Sequence, residues 1–411
     1  MRKIYTLELF AGCGGLLDGF EQTTKYTTVA SVEWKRYACN TLINRLKNIY
    51  QYADAEHRVI HFDIQRTDEL IYGWKDDPEY GDGEGLNKII GNYEIDIIVG
   101  GPPCQAYSLA GRIQDKNAMK DDYRNYLFES YLEVVKVYNP KIFVFENVEG
   151  MLSAMPDGEK ITDKIKRGFN ELGFDIIDNI RGQALLDLSE FGVPQKRKRV
   201  ILVGLNRKYF GDEKENQETL HYFYNEILRN YKTEKRTVIE AIGKLPKLYP
   251  TEEYRVDGKK YSHFPNTTTL NWHVPRYHNK RDIEIFKALT EDIASKRMRY
   301  TSTQALKELY TEKTGKKSNV HKYFVLRWDQ PSNTIPAHLK KDGLRHIHPD
   351  PEQARTITVR EAGRLQTFSN DFEFLGSMSQ NYEMIGNAVP PEFAKRLAEG
   401  IYDLMDYKGM V

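Results

Sequence analysis

A cysteine and an acidic residue, each placed where a short apolar run ends, are the first candidates for chemistry. Cys104 follows the run Ile95–Val99 through two glycines and two prolines, and Glu146 ends the run that begins at Ile142. Buried strands that stop abruptly carry their last residues to the edge of an open α/β sheet, where such folds bind ligands. If the two strands are neighbours, a nucleophilic thiol and a proton-donating carboxyl group emerge together. A buried cysteine in a tight turn is the alternative for Cys104 alone.

A glycine loop and two further acidic residues indicate a cofactor site. The loop Phe10–Gly15 follows a predicted strand and opens a helix, so its backbone can approach a ligand closely. Its Gly-x-Gly-Gly spacing departs from the dinucleotide pattern Gly-x-Gly-x-x-Gly, which disfavours a nicotinamide or flavin. Glu33 ends the next predicted strand, 18 positions after Gly15, and a carboxylate at about this sequence spacing can bind ribose hydroxyls. Asp63 follows the third predicted strand. This set favours an adenosine-containing cofactor.

A basic run precedes a further predicted strand. In Gln195-Lys-Arg-Lys-Arg, alternation places Arg197 and Arg199 on one face of the strand. That face suits phosphates or a polar base edge, and a solvated edge strand is the alternative.

Apolar runs that alternate with helix-compatible stretches predict an α/β fold with a doubly wound, mostly parallel sheet. The predicted strands are Ile4–Phe10, Thr28–Glu33, Val59–Phe62, Ile95–Val99, Ile142–Glu146 and Val200–Val203, and the predicted helices include Tyr123–Tyr138, Val359–Phe368 and Pro391–Tyr402. Lys75–Gly85 is predicted as an acidic surface loop. The predicted domains are residues 1–204, completed by a C-terminal helix in 380–411, and 205–355, with 356–379 as a connecting segment.

Composition narrows the class of protein. Three cysteines in 411 residues indicate a reducing compartment, and no signal-like start or membrane-length apolar run is present, so a soluble cytoplasmic protein is expected. The net charge of +1 hides an asymmetry, because residues 205–350 hold 28 lysines and arginines against 19 acidic residues. A basic segment of this kind suits a polyanionic partner. Its histidines are too scattered to predict a metal site.

The ordered motifs resemble the DNA (cytosine-5) methyltransferases of bacterial restriction-modification systems. The matching blocks are Phe10-Ala-Gly-Cys-Gly-Gly, Gly101-Pro-Pro-Cys-Gln, Phe145-Glu-Asn-Val, Gln195-Lys-Arg-Lys-Arg, Arg360-Glu-Ala-Gly-Arg-Leu and Gly386-Asn-Ala-Val-Pro. They span residues 7 to about 400 in the order of the family. The unpatterned residues 205–355 fall where the family keeps its variable target-recognition domain.

The resemblance implies a sequence-specific enzyme that methylates C5 of a cytosine flipped out of duplex DNA. Cys104 would add to C6, Glu146 would protonate or hydrogen-bond N3, and Arg197 and Arg199 would hold the base and the catalytic elements. S-adenosylmethionine would donate the methyl group. Residues implied around this cofactor are Phe10, Gly12, Gly14, Gly15, Glu33, Trp34, Asp63, Ile64, Pro102, Asn387 and Val389, and those implied to contact DNA are Gln105, Ser108, Arg112 and Gln195.

The resemblance also implies a monomer, and a restriction endonuclease as a functional partner that need not bind it. No membrane association is expected, because no apolar run reaches membrane length. Several alternatives remain at this point. Amino-group methyltransferases carry an aromatic residue where Cys104 stands, and two-cysteine RNA enzymes need a second catalytic thiol. The tRNA-directed relatives carry a Cys-Phe-Thr signature, whereas no cysteine follows Cys104. An RNA substrate and a non-catalytic DNA-binding regulator stay open.

Overall fold

A computed structural model describes residues 2–102, 127–155, 158–264, 270–317 and 322–411. The chain forms two compact units, one of residues 1–192, 197–234 and 388–411, and one of residues 193–196 and 235–387. None of the described helices is long and apolar enough to cross a membrane.

An eight-stranded sheet organises the first unit. The strands of the described chain are β1 (Ile4–Leu9), β2 (Tyr26–Glu33), β3 (Val59–His61), β4 (Trp74–Asp77), β5 (Gly81–Gly83), β6 (Ile97–Gly100), β7 (Ile142–Val148), β8 (Phe174–Ile176), β9 (Leu185–Asp187), β10 (Lys198–Asn206), β11 (Pro250–Val256) and β12 (Lys259–His263). The sheet order is β3-β2-β1-β6-β7-β10-β8, and β9 pairs with β10. Pairing is parallel from β3 to β7 and antiparallel around β10, which confirms the predicted fold class.

The parallel strands form because their apolar runs are buried on both faces, as helix-covered sheets require. In β6 and β7 the residues Ile97, Ile98, Phe143 and Val144 are fully buried. The helices of this unit are Gly15–Gln22, Arg36–Asn48, Ala55–Arg58, Thr67–Tyr72, Gly85–Ile90, Leu127–Tyr138, Ile161–Glu171, Arg207–Phe210, Glu213–Tyr222 and Pro391–Tyr407, with shorter turns at Glu149–Ser153, Ile180–Ala184, Leu188–Phe191, Phe223–Ile227 and Leu228–Tyr231.

The second unit has its own core, built on two helices. Its helices are Val238–Ile242, Lys280–Ala294, Thr303–Thr314, Val359–Leu365 and Met378–Asn387, with a short turn at Ala337–Lys340. Ile285, Phe286 and Leu309 pack with Val325 and Ile347 in this core. Buried histidines are used structurally. For example, His273 contacts the Thr358 hydroxyl and the Pro246 carbonyl oxygen, and burial lowers its pKa.

The compact units differ from the predicted domain bounds at both ends of the second domain. Residues 205–234 belong to the first unit, because Tyr224 packs on the sheet with its hydroxyl donating to the Ile201 carbonyl and accepting from the Val203 N–H. The predicted connecting segment 356–379 is part of the second unit, and so are residues 380–387. The predicted surface loop Lys75–Gly85 is corrected as well, since it forms most of the β4–β5 hairpin, in which Trp74 stacks on Phe62 with ring centroids 3.9 Å apart.

Candidate active site

The parallel strands bring the predicted site residues to one edge of the sheet. Strands β1, β2, β3, β6 and β7 all end at this edge, and β10, being antiparallel, begins there. The chain builds outward from β1 to β3 and then resumes on the other side with β6 and β7, so the order reverses between β1 and β6. Such a switch point opens a crevice at the carboxyl ends of the strands.

Glu146 and Arg199 form an ion pair at this edge. The Arg199 Nε lies 2.7 Å from Glu146 Oε1, with the two side chains 14% and 12% exposed. The pairing arises because β10 lies directly beside β7, where Arg199 is in register with Val148. A carboxyl group held in one orientation by a buried cation can present its second oxygen to a substrate.

Gly101 gives the Glu146 carboxyl group its space. A Cβ at residue 101 would lie 2.6 Å from Glu146 Oε2, which is closer than van der Waals contact permits. The neighbouring Asn147 is buried, and its Nδ2 lies 3.4 Å from the Pro102 carbonyl oxygen. These contacts tie the end of β7 to the segment that leads from β6 toward Cys104.

Arg197 lies inside the unit, where its Nη2 donates a hydrogen bond to the Ala388 carbonyl oxygen at 3.1 Å. Its side chain is fully buried, and burial lowers the pKa of both Arg197 and Arg199. Because β10 pairs with strands on both sides, the alternative of a solvated edge strand is excluded. Arg197 therefore connects the start of β10 to the chain that opens the C-terminal helix.

The thiols of the described chain are poor nucleophiles. Burial raises the pKa of Cys13 far above its usual range and that of Cys39 to about 12, so both stay protonated at neutral pH. Cys104 lies outside the described residues, as do Gln105, Ser108 and Arg112. A second catalytic thiol, which the two-cysteine RNA enzymes require, is thus not supplied by Cys13 or Cys39.

Glu33 and the glycine loop form a cradle at the ends of β1 and β2. The Gly12 N–H donates to Glu33 Oε2 at 2.8 Å, and the Lys35 N–H donates to Oε1 at 2.9 Å. Burial raises the pKa of Glu33, and these two hydrogen bonds oppose that rise. Gly12 has a φ of 56°, and among the described residues other than its chain neighbours no atom lies within 4 Å of where its Cβ would stand. Trp34, next to Glu33, leaves 47% of its surface exposed.

This cradle fits an adenosine-containing cation. It offers open space above a glycine backbone, a buried carboxyl group and an exposed aromatic ring. The remaining predicted cofactor residues lie as follows: Phe10 at the start of the loop with a φ of 56°, Gly14 and Gly15 buried at the start of helix Gly15–Gln22, Asp63 partly buried after β3, Ile64 and Pro102 buried, Val389 buried before the C-terminal helix, and Asn387 exposed at the end of its helix in the second unit.

A sequence-family comparison decides the class of protein. The family model for C-5 cytosine-specific DNA methylases matches residues 4–403. The chain belongs to this family. A C-5 cytosine-specific DNA methylase is a methyltransferase enzyme, so the family identified by resemblance and the predicted activity are both confirmed. A nicotinamide oxidoreductase and an amino-group methyltransferase are excluded.

Individual relatives agree with this membership. The type II methyltransferase M.Bpa9945I of Bacillus paralicheniformis is 31% identical, covering 97% of this chain and 99% of its own length. M1.HphI of Haemophilus parahaemolyticus is 29% identical over 96% of this chain and 86% of its own. Among solved structures, an Escherichia coli prophage-encoded DNA modification methyltransferase matches with a TM-score of 0.59 at 21% identity, covering 98% of this chain and all of that one. At that identity the likeness supports the fold.

Gln195, one of the residues predicted to contact DNA, makes contacts within the protein instead. Gln195 is fully buried in the second unit. Its Nε2 donates to the Leu365 carbonyl oxygen and to Gln366, and its Oε1 accepts from the Ile335 N–H. No polar atom of the side chain is left for DNA, so we correct its role to a structural one within its unit.

Three residues of the methylase site were missed by sequence reasoning. Gly101 and Asn147 act through close contacts that only the folded chain shows, although both adjoin predicted catalytic residues. Tyr131 falls within the predicted helix Tyr123–Tyr138, and its hydroxyl lies within hydrogen-bonding distance of the Ile98 and Val144 carbonyl oxygens on β6 and β7. No local sequence signal distinguishes that use from ordinary core packing.

Since Glu146 is a predicted catalytic residue, we expect Gly101→Ala to slow methyl transfer by about 100-fold, the size of effect that a displacement near 1 Å has at a reacting group. The added Cβ would push the Glu146 carboxyl group away from its position beside Arg199. Single-turnover kinetics measure the change. The matched variant Glu146→Asp shortens the side chain and removes the clash, so the double variant should lose much less than the two single losses combined. Fully additive losses would contradict this contact.

Proposed function

We propose that this methylase modifies one cytosine within a specific sequence of duplex DNA, through a covalent adduct between Cys104 and C6. The observation that carries the proposal is the Glu146–Arg199 pair beside the end of β6, the strand that leads into Cys104. Cytosine C5 is a weak nucleophile until a sulfur atom adds at C6, so a thiol and a carboxyl group are required together.

The proposed reaction begins at Cys104 and Glu146. The Cys104 thiolate adds to C6, and Glu146 donates a proton or hydrogen bond to N3, which stabilises the charge delocalised from C5. Bound S-adenosylmethionine supplies the methyl group for C5. Solvent water takes the C5 proton, the electrons of that C–H bond form the C5–C6 double bond, and the Cys104 sulfur leaves C6 as a thiolate. N3 returns its proton to Glu146, and the aromatic ring is restored. Arg199 holds the Glu146 carboxyl group, and Arg197 positions the strand that carries Arg199.

We propose that the cradle at β1 and β2 binds S-adenosylmethionine. The Glu33 carboxyl group would accept hydrogen bonds from the ribose hydroxyls, and the exposed Trp34 ring would contact the adenine. Gly12, Gly14 and the backbone of Phe10 would line the methionine end, and Asp63 and Ile64 the adenine end. Pro102, Asn387 and Val389 complete the proposed set.

Three broader features belong to the same proposal. The relatives are type II methyltransferases, which supports a role in a restriction-modification system with a cognate endonuclease. Residues 105–126, with Ser108 and Arg112, would contact DNA around the flipped base. A reaction on one flipped base needs no second subunit, which supports a monomer. We propose that this monomer acts on DNA in the cytoplasm.

The test is methyl transfer from labelled S-adenosylmethionine to mixed-sequence duplex DNA, with mapping of 5-methylcytosine at base resolution. We expect label at C5 in one recurring sequence for the wild type, and none for Cys104→Ala. When the target cytosine is replaced by 5-fluorocytosine, denaturing gel electrophoresis should show a protein–DNA adduct, and Cys104→Ala should abolish this adduct. A parallel reaction with RNA checks the substrate, since labelling of RNA alone would overturn the proposal.

A further inference from the structure

An exposed two-stranded ribbon stands in the second unit, formed by β11 and β12. Its turn residues Asp257 and Gly258 both have positive φ, 49° and 75°. A two-residue turn of this kind matches the twist of its strands and gives a rigid hairpin. Val256 pairs with Lys259 directly beside the turn, and Tyr254 pairs with Tyr261 further down.

The base of the ribbon is fixed by buried contacts, whereas its tip is exposed. Ser262 and His263 are buried, and the Ser262 hydroxyl accepts from the His278 N–H at 2.9 Å. The His263 Nε2 donates to the Gln353 carbonyl oxygen at 2.9 Å. Tyr254 stacks on Tyr261 with centroids 5.4 Å apart. Residues 255–260, by contrast, are all exposed.

Charges at the tip are distributed so that two cations remain available. Glu253 is engaged by Lys260, at 2.7 Å, and by the Tyr277 hydroxyl. Within the described ranges, Arg255 and Lys259 form neither an ion pair nor a side-chain hydrogen bond. Exposed Val256 and Asp257 lie between them, so the tip presents cationic, apolar and carboxylate groups side by side.

We infer that this tip, Arg255–Lys260, enters the major groove of the substrate duplex and reads base identity. The major groove of B-DNA admits a two-stranded β-ribbon. There Arg255 suits the two acceptors of a guanine, Val256 suits a thymine methyl group, and Asp257 suits a cytosine amino group. A carboxylate at the tip is repelled by phosphates, which favours base edges over the DNA backbone as its contact. The inference rests on the proposed function for the duplex substrate.

The test compares methylation patterns of the full-length chain carrying Arg255→Ala or Arg255→Lys. Arg255→Lys keeps the charge but loses bidentate geometry, so we expect both variants to accept other bases at one position of the methylated sequence. Selectivity at that position should fall about tenfold, within the range of one lost bidentate contact. Arg181→Ala removes an exposed arginine from the first unit and should leave the pattern unchanged. Cofactor binding and the melting temperature serve as checks that each variant is folded.

The outcomes separate base reading from other roles. If Arg255→Ala only lowers the salt dependence of DNA binding while the methylated sequence stays the same, the ribbon anchors phosphate and the inference is overturned. Unchanged sequence, affinity and salt dependence overturn it as well. If the wild type forms no 5-methylcytosine in any DNA, the proposed function fails first, and that result is distinct from either ribbon outcome.

Discussion

Glu146→Gln should lower the single-turnover rate of methyl transfer by about 10²–10⁴-fold, the range that a positioned proton donor contributes. The amide is isosteric, so its oxygen can still accept from Arg199, and the position of the side chain is kept. In the proposed mechanism, the variant loses the ability to give a proton to N3 while charge develops in the ring. The rate is measured on an unmodified duplex that contains the target sequence of the enzyme, and the affinity for S-adenosylmethionine is measured in parallel.

Glu149→Gln is the matched control for this variant. Glu149 directly follows β7, but it is exposed. We expect its substitution to leave the rate unchanged. The prediction is contradicted if Glu146→Gln retains the wild-type rate, or if Glu146→Gln weakens cofactor affinity enough to account for the whole loss.

The sheet edge could be predicted from the sequence because its signals are local. Apolar runs that end in glycine, proline or an acidic residue placed Glu33, Asp63 and Glu146 near strand ends. In the structure Glu33 ends β2, Asp63 lies just after β3, and Glu146 lies just before the end of β7. The contact between Glu146 and Arg199 could not be predicted in the same way. It depends on β10 lying antiparallel beside β7, which is a pairing between segments about 50 residues apart in the chain.

The errors have the same origin. The family resemblance implied that Gln195 contacts DNA, but it does not reveal that backbone groups of Leu365 and Ile335 bind its amide. Likewise, residues 205–234 lack clear periodicity, yet Tyr224 attaches them to β10 through its hydroxyl. In both cases long-range packing decided the position, and no local pattern reports it.

Glu361→Gln should destabilise the chain by about 3–5 kcal/mol, the loss typical when one partner of a buried ion pair is removed. Arg355 donates to both oxygens of Glu361, from Nη1 to Oε2 and from Nη2 to Oε1, each at 2.7 Å, and both side chains are essentially inaccessible to solvent. Glu361 also accepts from the Thr358 N–H in a capping box at the start of helix Val359–Leu365. An amide in its place would turn a donor toward the guanidinium group.

Glu240→Gln provides a matched control, since Glu240 holds the same position in the capping box of Thr237 but is exposed. The Glu240→Gln variant should lose no more than about 1 kcal/mol of unfolding free energy.

The Arg355 cation lowers the pKa of Glu361 against the opposing effect of burial. Because the folded-state pKa lies below the unfolded value of about 4.3, the stabilisation is complete above that pH and is lost as the pH falls further. Urea unfolding at pH 7 and pH 3.5 should therefore show a large difference between wild type and Glu361→Gln at the higher pH and a smaller one at the lower. Equal losses for the two glutamates at pH 7 would show that capping, and not the buried pair, stabilises this helix.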